Sequence, residues 1–229
     1  MRQAMRPYAS SQSATPAAQR AVSAAGPPGP FIAMIGVMED ARNLVVGRDA
    51  ELSAVEAFLT TAQTHFAVLS FEGEAGIGKT TIWLEAVRRA TARGRRVLVT
   101  RPSEAEATLS YAALTDLFDA VTEATMSRLP VPQREAISAA LLRAPVPQRG
   151  IDERALCASV LSLLRLMSAE GPVVVAVDDA QWLDSPSARV LSFAVRRLDA
   201  EAIGVLVTAR IGSAPASQRF DRLADLSAH

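Results

Sequence analysis

HFAVLSFEGEAGIGKTTIWLEAVRRATARG, residues 65–94, decides the reading of this chain. His65 to Phe71 is a short apolar run of strand length, and Thr80 to Ala92 has helical composition closed by Gly94. Between them GEAGIGKT, Gly73 to Thr80, satisfies G-x-x-x-x-G-K-[ST] at every specified position. A strand, a glycine-rich loop and a helix in that order make the match a physical arrangement. Gly73, Gly76 and Gly78 let the backbone curl so that the N–H groups of the loop, Glu74, Ala75 and Ile77 included, point inward. The helix that follows adds the positive end of its dipole, so the loop is expected to cradle phosphates.

Within that P-loop, Lys79 is expected to bridge the β and γ phosphates of a nucleoside triphosphate, and the Thr80 hydroxyl to ligate Mg²⁺. Thr81 is expected to support the loop or the α-phosphate. Lys79 is the one lysine of the whole chain; the other 23 of its 24 basic residues are arginines. A compact ammonium on a flexible stem suits a tight phosphate cradle better than a planar guanidinium fork.

Working outward, Val97 to Thr100 reads as a second strand, closed by Arg101 and Pro102. Leu52, Val55 and Leu59 ahead of the loop mark a helix with Asp49 as N-cap. Leu114, Leu117, Phe118 and Val121 have the spacing of an amphipathic helix. Residues 103–150 are otherwise irregular, cut by Pro130, Pro132, Pro145 and Pro147. Leu156 to Met167 is helical, Pro172 to Val177 is a continuous apolar strand, Ser185 and Pro186 start a helix through Leu198, and Ile203 to Thr208 is a fourth strand. The fold class expected is α/β, a three-layer sandwich with a mostly parallel sheet and helices on both faces, its ligands beyond the carboxyl ends of the strands.

A phosphate loop needs a carboxylate for the metal, and VVVAVDD, Val173 to Asp179, supplies two at a strand tip. Asp178 is expected to hold Mg²⁺ through a water, and Asp179 to polarise the attacking water as general base. Arg210 follows the fourth strand. On position alone it either senses the γ-phosphate or is a solvated surface arginine.

Composition bounds the rest. A chain of 229 residues, 49% hydrophobic, suits one substantial domain, and 24 basic against 24 acidic residues offer no net field toward nucleic acid or an anionic membrane. The single cysteine, Cys157, lies in an apolar helical pattern and is expected to fill core space in a reducing, cytoplasmic setting. Residues 1–40 read as a disordered leader, 41–212 as the nucleotide domain and 213–229 as a tail. The apolar run Phe31 to Met38 is far short of the ~20 residues a membrane span needs, and Met34 and Met38 offer alternative translation starts.

VVGRDAEL (Val45 to Leu52), EGEAGIGKTTIW (Glu72 to Trp83), RPSEAEATLSYAALTDLF (Arg101 to Phe118), VAVDDAQWLDSPS (Val175 to Ser187) and VLVTAR (Val205 to Arg210) together resemble one group. It is the ATP-binding module of large LuxR-type transcriptional regulators, of the STAND class of AAA-related signalling ATPases. The resemblance implies that Gly47 and Arg48 approach the adenine and that Arg210 senses the γ-phosphate. It also implies an ATP/ADP switch with slow hydrolysis, and self-association or pairing with a full-length relative. Such proteins carry a lid, a sensor and a DNA-binding helix-turn-helix beyond the nucleotide domain, and with this sequence ending at His229 the effector part of the resemblance is not expected within it. A stand-alone P-loop ATPase or kinase, and a non-functional truncated fragment, are the alternatives; DDAQWLD points away from kinases.

Overall fold

A computed structural model describes residues 47–211. The leader at 1–40 and the tail at 213–229 lie outside the described residues. Helix α1 (Asp49–Thr61) leads to strand β1 (Ala67–Gly73), the glycine-rich loop and helix α2 (Lys79–Ala92). Strand β2 (Arg96–Thr100) is followed by helices α3 (Ala112–Phe118), α4 (Glu123–Met126), α5 (Val131–Ala140) and α6 (Glu153–Ser168). Strand β3 (Val173–Val177), helix α7 (Ser185–Val195) and strand β4 (Ile203–Arg210) complete the order. All pairings are parallel and the sheet runs β1-β4-β3-β2.

Period-2 alternation divides the strand side chains between two cores. Val173, Val175 and Val177 of β3, with Ile203, Val205 and Val207 of β4, face α3 to α7. Val174 and Ala176, with Leu206, face α1 and α2. This is the three-layer sandwich expected, with the hydrophobic effect acting on both faces of one sheet. Gly204 permits its closest approach: a Cβ there would stand 2.6 Å from Phe58 Cζ of α1. Cys157 is buried in the larger core, as expected.

Several boundaries move for identifiable reasons. Asp49 is the first residue of α1 rather than its cap, because Arg48 takes the N-cap position and uses its side chain elsewhere. Asp184, not Ser185, caps α7: its carboxylate accepts from Ser187 N at 2.9 Å. The same carboxylate accepts from Tyr111 N at 2.9 Å and Ala113 N at 3.2 Å, so one buried side chain caps α7 and enters the first turn of α3. Helix α3 ends at Phe118, with Val121 buried just beyond it, and α7 ends at Val195 rather than Leu198. The prolines of 103–150 do not prevent order. Pro130 and Pro132 open α5, where a missing N–H costs nothing. Among the described residues, no helix is long and apolar enough to cross a membrane.

Candidate functional site

Parallel register brings four segments to the carboxyl end of the sheet. Gly73 pairs with Arg210, Thr100 with Val177 and Val177 with Val207, so the residues just past these positions share one rim.

The glycine-rich loop is built as its sequence requires. Gly76 and Gly78 sit at φ of 80° and 94°, which L side chains rarely adopt. Gly73 is φ-permissive but crowded, since a Cβ there would stand 3.0 Å from Ile77 Cγ2. Glu74, Ala75, Gly76 and Ile77 are exposed along the outer turn. Helix α2 starts at Lys79 with Gly78 as N-cap, which has no side chain with which to cap the first-turn N–H groups. Lys79 Nζ donates to Gly73 O and Glu74 O, both at 2.9 Å, so the ammonium is held over the opening of the loop. Thr81 stands half-buried in the first turn of α2.

Arg48 reaches the loop from the preceding segment. Its Nη2 donates to Ile77 O, and its Nη1 pairs with Glu51 Oε1 at 2.7 Å. The hydrogen bond from Arg48 holds the Glu51 carboxyl below the usual carboxylate range. Gly47, at φ 74°, gives the chain the turn that delivers Arg48. The sequence expectation for this pair was adenine; the contact present is to the loop's own backbone.

Asp178 forms the second half of the site. It is buried at the tip of β3 and receives three donors from three other segments. Thr208 Oγ1 donates to Oδ1 at 2.6 Å, Thr80 Oγ1 donates to Oδ2 at 3.1 Å, and Arg101 Nε donates to Oδ2 at 3.2 Å. A buried carboxylate is costly unless so paired, and here hydroxyls and a guanidinium do the pairing. The end of the fourth strand puts the Thr208 hydroxyl near the expected γ-phosphate position without tying it to Asp178, and Arg101 was not among the expected site residues. The rule that singled out Asp178 and Arg210, a polar residue where an apolar strand ends, applies equally to both.

Asp179 turns the chain away from β3 in a left-handed conformation, φ 51° and ψ 52°. Its backbone N donates to Thr208 Oγ1 at 2.8 Å, and its Oδ1 accepts from Gln181 Nε2 at 2.8 Å. Gln181 Oε1 in turn accepts from Arg210 N at 3.2 Å. One amide side chain therefore bridges Asp179 and the end of β4, a connection that periodicity does not reveal. Arg210 is exposed at the strand end, opposite Gly73.

The donor set suits a small hard cation. Thr80 and Asp178 converge within hydrogen-bond distance using oxygen alone, as Mg²⁺ requires, and a metal held by them would complete its shell with phosphate and water oxygens. Among the described residues no group of three His, Cys, Asp or Glu side chains forms a purely protein-bound metal cage.

No curated protein matches the chain. A solved structure of the Aeropyrum pernix ORC2 protein in ADPNP-ADP complexes aligns at 18% identity and a TM-score of 0.47, covering 80% of this chain and 45% of that one. The chain thus spans less than half the length of that protein. A family model described as the AAA ATPase domain matches residues 44–207, well over half of the sequence and the whole of the rim just described up to Val207. The chain belongs to this family of P-loop, nucleotide-binding ATPase modules.

Proposed function

We propose that this domain binds MgATP on Gly73–Thr80 and Asp178, and works as a slowly hydrolysing regulatory switch of the kind found in LuxR-type regulators. The observation that carries the reading is the meeting of Thr80 with Asp178 at 3.1 Å, beside a loop whose lysine rests on two carbonyls. Lys79 exchanges those carbonyls for β and γ phosphate oxygens, and the N–H groups of the loop receive the rest. Thr80 directly and Asp178 through a water would hold Mg²⁺, which would neutralise phosphate charge when bound. Gly47 and Arg48 border the adenine, a role that rests on the resemblance of the VVGRDAEL segment.

Asp179 orients the attacking water, and Arg210 senses the γ-phosphate from the strand opposite Gly73. Slow turnover is supported by the Gln181 bridge: the same side chain engages the Asp179 carboxylate and the backbone of Arg210. A base held in a hydrogen bond must be released before it can act.

Thermal melting with and without MgATP tests the reading. Ligand at 100 times its dissociation constant stabilises the native state by about 2.7 kcal/mol, a shift Lys79→Ala should cut to about 0.4 kcal/mol at the same ligand concentration. A wild type that melts identically with and without MgATP would refute nucleotide binding. Phosphate release by Asp179→Asn, compared with wild type, then separates a switch from a working enzyme.

A further inference from the structure

The Asp178 carboxylate does not wait for metal uncompensated. Arg101 Nε donates to Oδ2, the same oxygen that Thr80 Oγ1 approaches. The two side chains differ sharply in accessibility: that of Asp178 is 2% exposed and that of Arg101 is 42% exposed. The carboxylate is thus anchored in the core by Thr208, while its cation reaches in from the surface along the face of Trp83, with the guanidinium carbon 6.0 Å from the ring centroid. An arm of this kind can swing toward solvent without opening the core.

We propose that Arg101 is a built-in counter-ion for Asp178 that divalent metal must displace, and that it thereby sets the metal concentration at which the site loads. The inference rests on the metal site proposed above. A divalent cation held by Thr80 and, through a water, by Asp178 would set a second positive group beside the carboxylate that Arg101 already serves, and the two would repel. Arg101 therefore stabilises the metal-free state, being the cation that pairs with this buried carboxylate among the described residues. It opposes the metal-bound one. Metal-free nucleotide binds with Arg101 in place; metal-loaded nucleotide binds with Arg101 withdrawn from Oδ2.

The test uses the full chain with ADP. ADP affinity is first measured by calorimetry in EDTA, and Mn²⁺ is then titrated into a separate, chelator-free sample of the ADP complex with its free fraction read by electron spin resonance. Arg101→Gln should bind Mn²⁺ roughly tenfold more tightly than wild type, the effect of removing one nearby charge from a partly solvated site. Arg101→Lys keeps the charge and should stay near wild type, which guards against a variant that is merely misfolded. Melting supplies an independent readout: Arg101→Gln should melt lower than wild type in EDTA and gain more from Mn²⁺ and ADP together. Unchanged or weaker Mn²⁺ binding by Arg101→Gln, with ADP still bound, overturns the counter-ion role while leaving the nucleotide site standing. Loss of ADP affinity in EDTA for that variant alone shows Arg101 to be a phosphate ligand and overturns it as well. Absence of ADP binding by wild type removes both proposals.

Discussion

The two halves of the rim are built in opposite ways. Gly73–Thr80 is eight consecutive residues whose shape follows from their own glycines and whose lysine bonds back to its own loop. The Asp178 cluster draws Thr80, Arg101, Thr208 and Asp178 from four separate segments, held within hydrogen-bond distance by sheet register. The loop is local and its outer turn, Glu74–Ile77, is exposed, whereas the carboxylate is buried and assembled. A substitution in the loop should therefore remove binding and spare the fold, while a substitution in the cluster should damage both.

Asp178→Ala is the severest way to break the comparison. It strands two threonine hydroxyls and leaves Arg101 without this carboxylate, costing about 2–4 kcal/mol. For a domain of this size that lowers the melting temperature by roughly 5–15 °C, with metal dependence of nucleotide binding lost as well. Lys79→Ala is expected to weaken nucleotide binding by about two orders of magnitude, the value of charge-assisted bonds to phosphate. Its melting temperature without ligand should match wild type within a degree or two. A large loss of stability in Lys79→Ala would erase the distinction between the halves. Thr208→Val removes a hydroxyl that donates to Asp178 and accepts from Asp179 N, and should cost about 1–2 kcal/mol. It should also slow phosphate release, because both aspartates lose a tether.

The smallest effect sharpens the contrast away from the site. Glu85 on α2 is bonded by Arg88 and Arg89, and the Arg88 hydrogen bond holds its carboxyl below the ordinary range. A depressed folded value contributes stability that is present above the unfolded carboxylate value of about 4.3 and fades as pH falls through the folded one. Glu85→Gln should melt slightly below wild type at pH 7 and converge with it as the solution is acidified past that window. Nucleotide affinity should not change.

Nearest-neighbour chemistry made the loop legible. Glycine spacing, the lone lysine and the flanking strand and helix patterns all lie within thirty residues, and each has a single physical use. Asp178 was legible too, as an acidic pair at the tip of an apolar strand. Arg101 was read only as the end of β2, since nothing in one dimension ties it to a carboxylate seventy-seven positions away. Asp184 shows the same limit. It caps its own helix within three residues, which spacing suggests, and it also accepts from Tyr111 and Ala113, which only packing provides.

By itself, then, the sequence determined the alternation of strands and helices, the phosphate loop and the acidic strand tip, because each arises from local periodicity and steric preference. The tertiary structure alone decided which groups surround Asp178, what Gln181 bridges and where Arg48 rests. Those contacts come from strand order and register, which bring distant segments to one edge of the sheet through burial of both its faces.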